Sequence, residues 1–344
     1  MPRPHLALFL SCMALVGAAA TAAADPVEDF YRGKTLDLII PTSPGGDYDI
    51  RGRMIARFMG RYIPGNPNIV ARNMPAGVGI VAADHMAKIA PRDGTVLNMI
   101  LQSMPSYQAM GGQGIEFDTR QFGWIGNTTD TSDVVNSWYT SGIKTIQDVI
   151  ERGLVVGATS TGSTSYAYPA AMNALVGTKF KIVTGYPGGN DINLAMEKEE
   201  VGGRGSNSWA SWKSGHPGWI ADKKIYILVQ IGLKRAADLP DVPLMSELAK
   251  NDADRQVLTF ISADTGIARA LVTTPGVPPE RLAALRQAFM ETMKDPDFLA
   301  EAAKTQMDIS PSSGEEAQKV ADSILDYPAT VVARAKALVD APAK

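Results

Sequence analysis

Residues 36–58 read as a strand, a glycine turn and a helix in immediate succession. This unit recurs along the chain, and a sequence written this way is constrained to a largely parallel α/β sheet. Leu36 to Ile40 form a short apolar run. Pro41 through Asp49 punctuate it with the pair Gly45-Gly46, and Ile50, Met54, Ile55, Phe58 and Met59 follow at helical spacing, with Arg51, Arg53, Arg57 and Arg61 on the other side. Asp49 is the expected N-cap, because its carboxylate can accept an orphan N–H of the first turn. A glycine pair between a strand's carboxyl end and a helix lets the backbone turn tightly and approach a ligand, and the exposed N–H groups there favour an anion. A plain structural connection uses the same residues, so this turn alone does not define a site.

The alternation continues. Strands are expected at 68–72, 95–101 and 122–126, a glycine-bearing turn at 75–79, and a helix over 80–90 ended by Pro91. A second series follows: a helix over 144–152 opened by Thr145 or its neighbour, a strand at 154–158, a Ser/Thr/Gly turn at 159–165, and a helix over 166–176. A strand at 180–183 and a turn at 185–189 come next, then a helix to Lys198 capped by Asp191 or its neighbour, and the long apolar strand 225–231. The C-terminal part is expected to be helical. Leu282, Leu285, Phe289 and Met293 are spaced by three and four, and Ser313 with Glu316 matches a capping box.

The first residues have the layout of a secretory signal peptide: Arg3 and His5, an apolar middle, then an alanine-rich stretch with cleavage expected after Ala24. A membrane anchor fits less well, since the apolar segment is too short. Lipidation at Cys12 fits poorly with the bulky Phe9 and Leu10 before it. Cys12 is the only cysteine, so a mature chain of about 320 residues holds no disulfide, thiolate metal site or cysteine nucleophile and relies on burial, with length enough for two domains. Losing Arg3 with the leader leaves 32 basic against 36 acidic residues, a balance that points to neither nucleic acid nor an anionic membrane surface.

Three turns, at 42–49, 160–165 and 186–191, each follow a strand, precede a helix, and offer glycine and hydroxyls without lysine or arginine in the turn proper. Carboxyl ends of parallel strands are where open α/β sheets bind ligands. Catalysis has little to build on. The mature chain holds only His85 and His216, without triad or zinc spacing, and no cofactor or metal is expected. Glu197, Glu199 and Glu200 read as a solvated helix end. Asp47 and Asp49 have the chemistry for a cation, but a cap role for Asp49 is simpler. Trp209, Trp212 and Trp219 either line a cleft or, more economically, pack a loop against the sheet.

Taken in order, Pro41 through Asp49, Asn73 through Gly79, Pro91-Arg92-Asp93-Gly94, Gly162-Ser163, Tyr186-Pro187-Gly188 and Leu239 through Pro243 resemble the Bug family. These are TctC-like extracytoplasmic solute receptors of tripartite tricarboxylate transporters and their orphan relatives. The resemblance covers nearly all of the mature chain. It implies an α/β fold of the type II periplasmic binding class, a Venus flytrap of two Rossmann-like domains joined by crossing strands near 122–127 and 225–232. Residues 25–126 with 233–344 would form domain 1, and 127–232 domain 2.

The resemblance further implies a monomeric, periplasmic, non-enzymatic receptor. Its ligand would be a small organic acid, a di- or tricarboxylate or an aromatic acid, and its partners membrane transporter subunits. Carried over by position, Thr42, Ser43, Gly45, Gly46 and Asp49 would line one wall and Ser160, Thr161, Gly162 and Ser163 the other, with Tyr186 and Gly188 nearby. Three departures join the candidate set. Asp47 and Tyr48 stand where the family commonly has small or hydroxyl residues, and a carboxylate at Asp47 would repel an anion unless it points away. Tyr166 stands where the family often has His, and with Tyr48 it would offer a stacking or hydroxyl wall. Arg204, in an atypical run, either forks a ligand carboxylate or sits on the surface. Domain closure on the ligand would present the closed form to a partner. A sensory receptor would use the same closure, and an exported enzyme on this scaffold is the weaker rival.

Overall fold

The computed structural model describes residues 25–339; the expected leader and Cys12 lie outside the described residues. Eleven strands are found among the described residues: β1 Thr35–Ile40, β2 Asn68–Asn73, β3 Val96–Asn98, β4 Gly123–Asn127, β5 Asp133–Trp138, β6 Leu154–Gly157, β7 Phe180–Val183, β8 Gly203–Ser208, β9 Ile225–Ile231, β10 Ala270–Thr273 and β11 Ser312–Ser313. They form two sheets, ordered β11-β4-β10-β3-β1-β2 and β7-β6-β8-β5-β9. In the first, β1 lies parallel to β2 and β3, and β10 runs antiparallel between β3 and β4. In the second, β6 lies parallel to β7 and β8, and β5 runs antiparallel to β8 and β9. The chain crosses from the first sheet to the second after β4 and returns between β9 and β10, so this is a mixed α/β protein with two sheets.

Periodicity placed β1, β2, β4, β6, β7 and β9 within a residue or two. It overran β3, expected over 95–101, because the chain leaves the sheet after Asn98. Four strands escaped it. β8, Gly-Arg-Gly-Ser-Asn-Ser, has no apolar side chain at all, and β5 is buried along its whole length with polar residues at three of six positions. The short β10 and the two-residue β11 interrupt a C-terminal part expected to be helical, and the helix Asp252–Ser262 lies in that part without having been singled out. The capping boxes at Thr145/Asp148 and Ser313/Glu316 are both present.

The helix Asp47–Met59 follows β1 as expected and buries Met54, Ile55, Phe58 and Met59, but two assignments are reversed. Ile50 is 44% exposed, and Arg51, assigned to the outer side, is 1% exposed. The N-cap is Gly46, not Asp49, which lies in the first turn. Likewise the helix Gly189–Glu197 is capped by Gly188, with Asp191 in its first turn, and Thr164–Leu175 starts two residues earlier than expected.

The first sheet packs on Leu36, Leu38, Met54, Phe58, Leu271, Phe289 and Phe298. Each such side chain stabilises the fold by about 1.5–3 kcal/mol when fully buried. Beside the second sheet, Trp138, Trp209 and Trp212 form a cluster with Val134 and Ile225. A larger cluster runs through both sheets, and the helices Asp252–Ser262 and Ala329–Val339 pack against Thr164–Leu175.

Candidate binding cleft

The carboxyl ends of β1, β6 and β7 deliver three turns to one cleft of about 700 Å3. Each turn opens a helix, with N-caps Gly46, Ser163 and Gly188, and none of the three caps makes a side-chain hydrogen bond to its helix. The helices starting at Ile146, Asp252 and Gly314, by contrast, are capped by Thr145, Asn251 and Ser313 side chains. Three uncapped starts converging on one space concentrate the positive ends of three helix dipoles there.

Of the candidate residues, Thr42, Ser43, Gly45, Gly46, Asp47, Tyr48, Ser163, Gly188 and Arg204 line this cleft. The others stand elsewhere. Asp49 holds the first turn in shape: its carboxylate accepts from Gly45 N–H at 2.9 Å, Arg53 Nε at 2.9 Å and Asn73 Nδ2 at 2.8 Å, and Asn73 also donates to the Thr42 carbonyl at 2.9 Å. Gly45 adopts φ +84°, a left-handed turn that glycine adopts without strain. Ser160 accepts from Ser163 Oγ at 2.6 Å inside the second turn, while Thr161 and Gly162 border a separate cavity of about 20 Å3. Tyr166 is buried in the core and Tyr186 packs beside Gly157. The expected tyrosine wall is therefore absent: Tyr48 alone reaches the cleft, with its hydroxyl donating to the Ala268 carbonyl at 2.8 Å and accepting from Gln102 N–H at 3.2 Å.

The question raised by Asp47 is answered by its partners. Its carboxylate accepts from Arg269 Nε and from Arg51 at 3.5 Å. Burial alone would raise this carboxyl, but the two guanidinium groups outweigh it and lower it to about 2. Asp47 is thus an ionised, internally neutralised group. Arg269 also donates to the Gln102 side chain at 3.0 Å and lies over the Tyr48 ring, 4.3 Å from its centroid.

Arg204 has no carboxylate as a hydrogen-bond partner, although Asp133 and Asp47 are near enough to favour its charge. Its guanidinium donates to the Ser206 carbonyl at 2.8 Å and to Asn193 Oδ1 at 3.1 Å, both neutral acceptors. It lies against Gly189 in the first turn of the helix Gly189–Glu197, so a cation sits at the positive end of a helix dipole. Burial pushes its proton affinity down, to about 10, which still leaves it charged at neutral pH. Asn193 passes the contact on to His216 at 3.0 Å, and His216 stacks on Trp219 with ring centroids 4.2 Å apart. Trp209 and Trp212 pack in the core, while Trp219 also borders the cleft, so the tryptophan cluster divides between the two roles considered for it. Thr42 Oγ1 is buried without a hydrogen-bond partner.

Sequence reasoning missed Gln102, Asp133, Asn193, Ser206, His216 and Arg269, all of which line the cleft. Arg269 carried a signal, being a lone charge inside the apolar run 267–272; Asp133 and Ser206 lay on strands without a readable period. Among the described residues no group of three His, Cys, Asp or Glu side chains is arranged to hold a metal, and no helix is long and apolar enough to cross a membrane.

The two-sheet architecture with a cleft between strand ends is that of periplasmic binding proteins. BugD, a periplasmic binding protein, shares 16% identity over 89% of this chain and 98% of its own, with a TM-score of 0.69. MatC from Rhodopseudomonas palustris with bound malate shares 18% over 90% and 99%, with a TM-score of 0.68. An R. palustris protein with adipate shares 17% over 89% and 98%, with a TM-score of 0.69. At these identities the likeness is one of fold, the two-domain flytrap. No curated protein sequence matches the chain. The family profile described as tripartite tricarboxylate transporter family receptor, TctC, matches residues 53–340, and the chain belongs to that family of solute receptors.

Proposed function

We propose that the protein is an extracytoplasmic receptor that captures a small carboxylate in the cleft between its two sheets and delivers it to a tripartite tricarboxylate-type transporter. The observation that carries this reading is Arg204. A half-buried guanidinium that lines the cleft, hydrogen-bonded only to neutral acceptors and set against a helix start, is a ready partner for an anion. Three uncapped helix starts supply N–H donors for the same anion. That neighbours of the same fold are named with adipate and malate agrees with the ligand class.

In this reading Thr42, Ser43, Gly45, Gly46 and Tyr48 bind from one wall, and Ser163, Gly188 and Arg204 from the other. Asp49 and Asp47 shape and neutralise the first wall. The protein is a binder rather than an enzyme, exported to the periplasm by residues 1–24 and acting as a monomer. The division into 25–126 with 233–344 and 127–232 follows sheet membership, with the helices Asp252–Ser262 and Ala329–Val339 bridging onto the second unit. Ligand contacts to both walls favour the closed arrangement over the open one.

The test is a thermal-shift screen of the mature protein against mono-, di- and tricarboxylates, aromatic acids, neutral amides and sugars. A ligand at a hundred times its dissociation constant adds about 2.7 kcal/mol of stability. A shift with an acid, lost in Arg204→Gln, supports the reading. Stabilisation by neutral compounds alone overturns the carboxylate assignment.

A further inference from the structure

Two charges of opposite sign face the cleft without pairing with each other. Arg204 is one. The other is Asp133, the first residue of β5, which lines the cleft yet is only 3% exposed. The hydrogen-bond partners of its carboxylate are neutral: the Gln102 side-chain amide at 2.7 Å, the Tyr168 hydroxyl at 3.2 Å and the Ser206 hydroxyl at 3.5 Å. Ser206 joins the two sites, since its hydroxyl reaches Asp133 while its carbonyl accepts from Arg204. On the paired strands Asp133 stands opposite Ser208 and Arg204 opposite Asn136, so the link between them runs through Ser206; each feels the other's charge, yet Arg204 makes no hydrogen bond to Asp133.

We infer that Asp133 is a specificity-determining residue: the ligand is a carboxylate carrying a hydrogen-bond donor, a hydroxyl or an ammonium, on the carbon next to it. The inference rests on the carboxylate reading above and narrows it. A plain carboxylate on Arg204 would bring its oxygens beside Asp133, where like charges repel in a poorly solvated site. A 2-hydroxy or 2-amino acid turns that cost into a contact, its carboxylate on the guanidinium and its donor on Asp133. Burial raises the Asp133 carboxyl, with Arg269, Gln102, Tyr168 and Arg204 opposing the rise, and a ligand ammonium would add to the groups that favour its ionised form. Gln102 and Tyr168 fix the carboxylate's orientation, so the donor's position is read as well as its presence.

The test is isothermal titration of the mature protein with matched acids that differ only at the 2-position: propionate, lactate and alanine; succinate, malate and aspartate; glutarate, 2-hydroxyglutarate and glutamate; and the phenylpropionate set. In the best-binding set, the hydroxy or amino acid is expected to bind about tenfold or more tightly than the plain acid, as for a site built to pair a ligand donor. Preference for the hydroxy member identifies a neutral donor and preference for the amino member a cationic one; either supports the inference. Asp133→Asn should erase the advantage of the amino member and tighten the plain acid. The melting temperature of ligand-free Asp133→Asn, measured alongside, separates lost folding from lost preference, and a folded Asp133→Asn that keeps the preference overturns the inference. Equal affinity across the best-binding set overturns the inference and leaves the carboxylate receptor standing. Binding by no acid in any set, with Arg204→Gln unchanged in behaviour, overturns both.

Discussion

Arg269 donates from Nε to the carboxylate of Asp47, 222 positions earlier in the chain, and both side chains are buried where the first helix meets the cleft. The pair converts an acidic residue at the turn after β1 into part of a neutral frame. Removing one partner leaves the other buried and uncompensated, so Asp47→Ala should cost about 3–5 kcal/mol in denaturant unfolding. The pair also sets an acid limit. The Asp47 carboxyl is depressed in the folded state to about 2 from the ordinary 3.8. Its contribution is therefore complete above about pH 4 and is lost as pH falls towards 2, about 2 kcal/mol in all. Unfolding free energy measured between pH 5 and pH 2 should fall less steeply in Asp47→Asn than in the parent protein; equal slopes would falsify the assignment.

Arg204 should behave in the opposite way. It is half-buried beside a helix start and hydrogen-bonded to neutral acceptors, so its loss relieves the empty protein of a partly desolvated charge. Arg204→Gln should leave the apo melting temperature unchanged or higher. Carboxylate affinity should fall about 10- to 100-fold, the worth of a charge-assisted hydrogen bond. A drop in apo stability together with unchanged affinity would return Arg204 to a structural role.

The contrast between these two arginines marks what was legible in the sequence. Strands with apolar runs, such as β1 and β9, were readable because burial on both faces writes itself as mostly apolar residues in succession. The three glycine turns were readable as punctuation, and the family motifs placed them around one cleft. The places of Arg51 and Arg204 were not, because a guanidinium held by tertiary partners has the same local sequence as a solvated one. β8 and β5 were hidden for a related reason. Their side chains bond to each other and to neighbouring helices, so polar residues occupy buried positions and no period of two appears. Asp49 was misplaced as a cap by three residues. It serves the same purpose from inside the helix, accepting the Gly45 N–H that a cap would otherwise leave free.

Gly188 and Ser43 belong to opposite walls, yet a methyl group built on Gly188 would collide with Ser43 Oγ. The lips of the cleft meet at this point. Gly188 has an extended backbone, φ −167°, that any residue adopts, so substitution brings a clash across the cleft rather than strain within the turn. Gly188→Val should cost closure about 1–3 kcal/mol by overpacking, weakening ligand affinity about 5- to 100-fold. Small-angle scattering should then show no compaction on adding ligand at concentrations that compact the parent protein. Unaltered affinity would mean that the lips need not meet for binding.

His216 stands between Arg204's partner Asn193 and the Trp219 ring, and its pH behaviour follows from those neighbours. Burial lowers its proton affinity and the Arg204 guanidinium lowers it further, with Glu197 opposing. The unfolded chain therefore binds this proton more readily than the folded apo protein. The contribution of neutral His216 to stability is complete above about pH 6.5 and is lost as pH falls below it. A carboxylate bound at Arg204 reverses the sign locally, because its negative charge favours the imidazolium. Apo melting temperature should accordingly fall more between pH 7 and pH 5.5 in the parent protein than in His216→Gln. Over the same interval carboxylate affinity should rise in the parent and stay flatter in the variant, with proton uptake on binding detectable by titration calorimetry in buffers of different ionisation enthalpy. Proton release on binding at pH 6 would exclude His216 as the responding group.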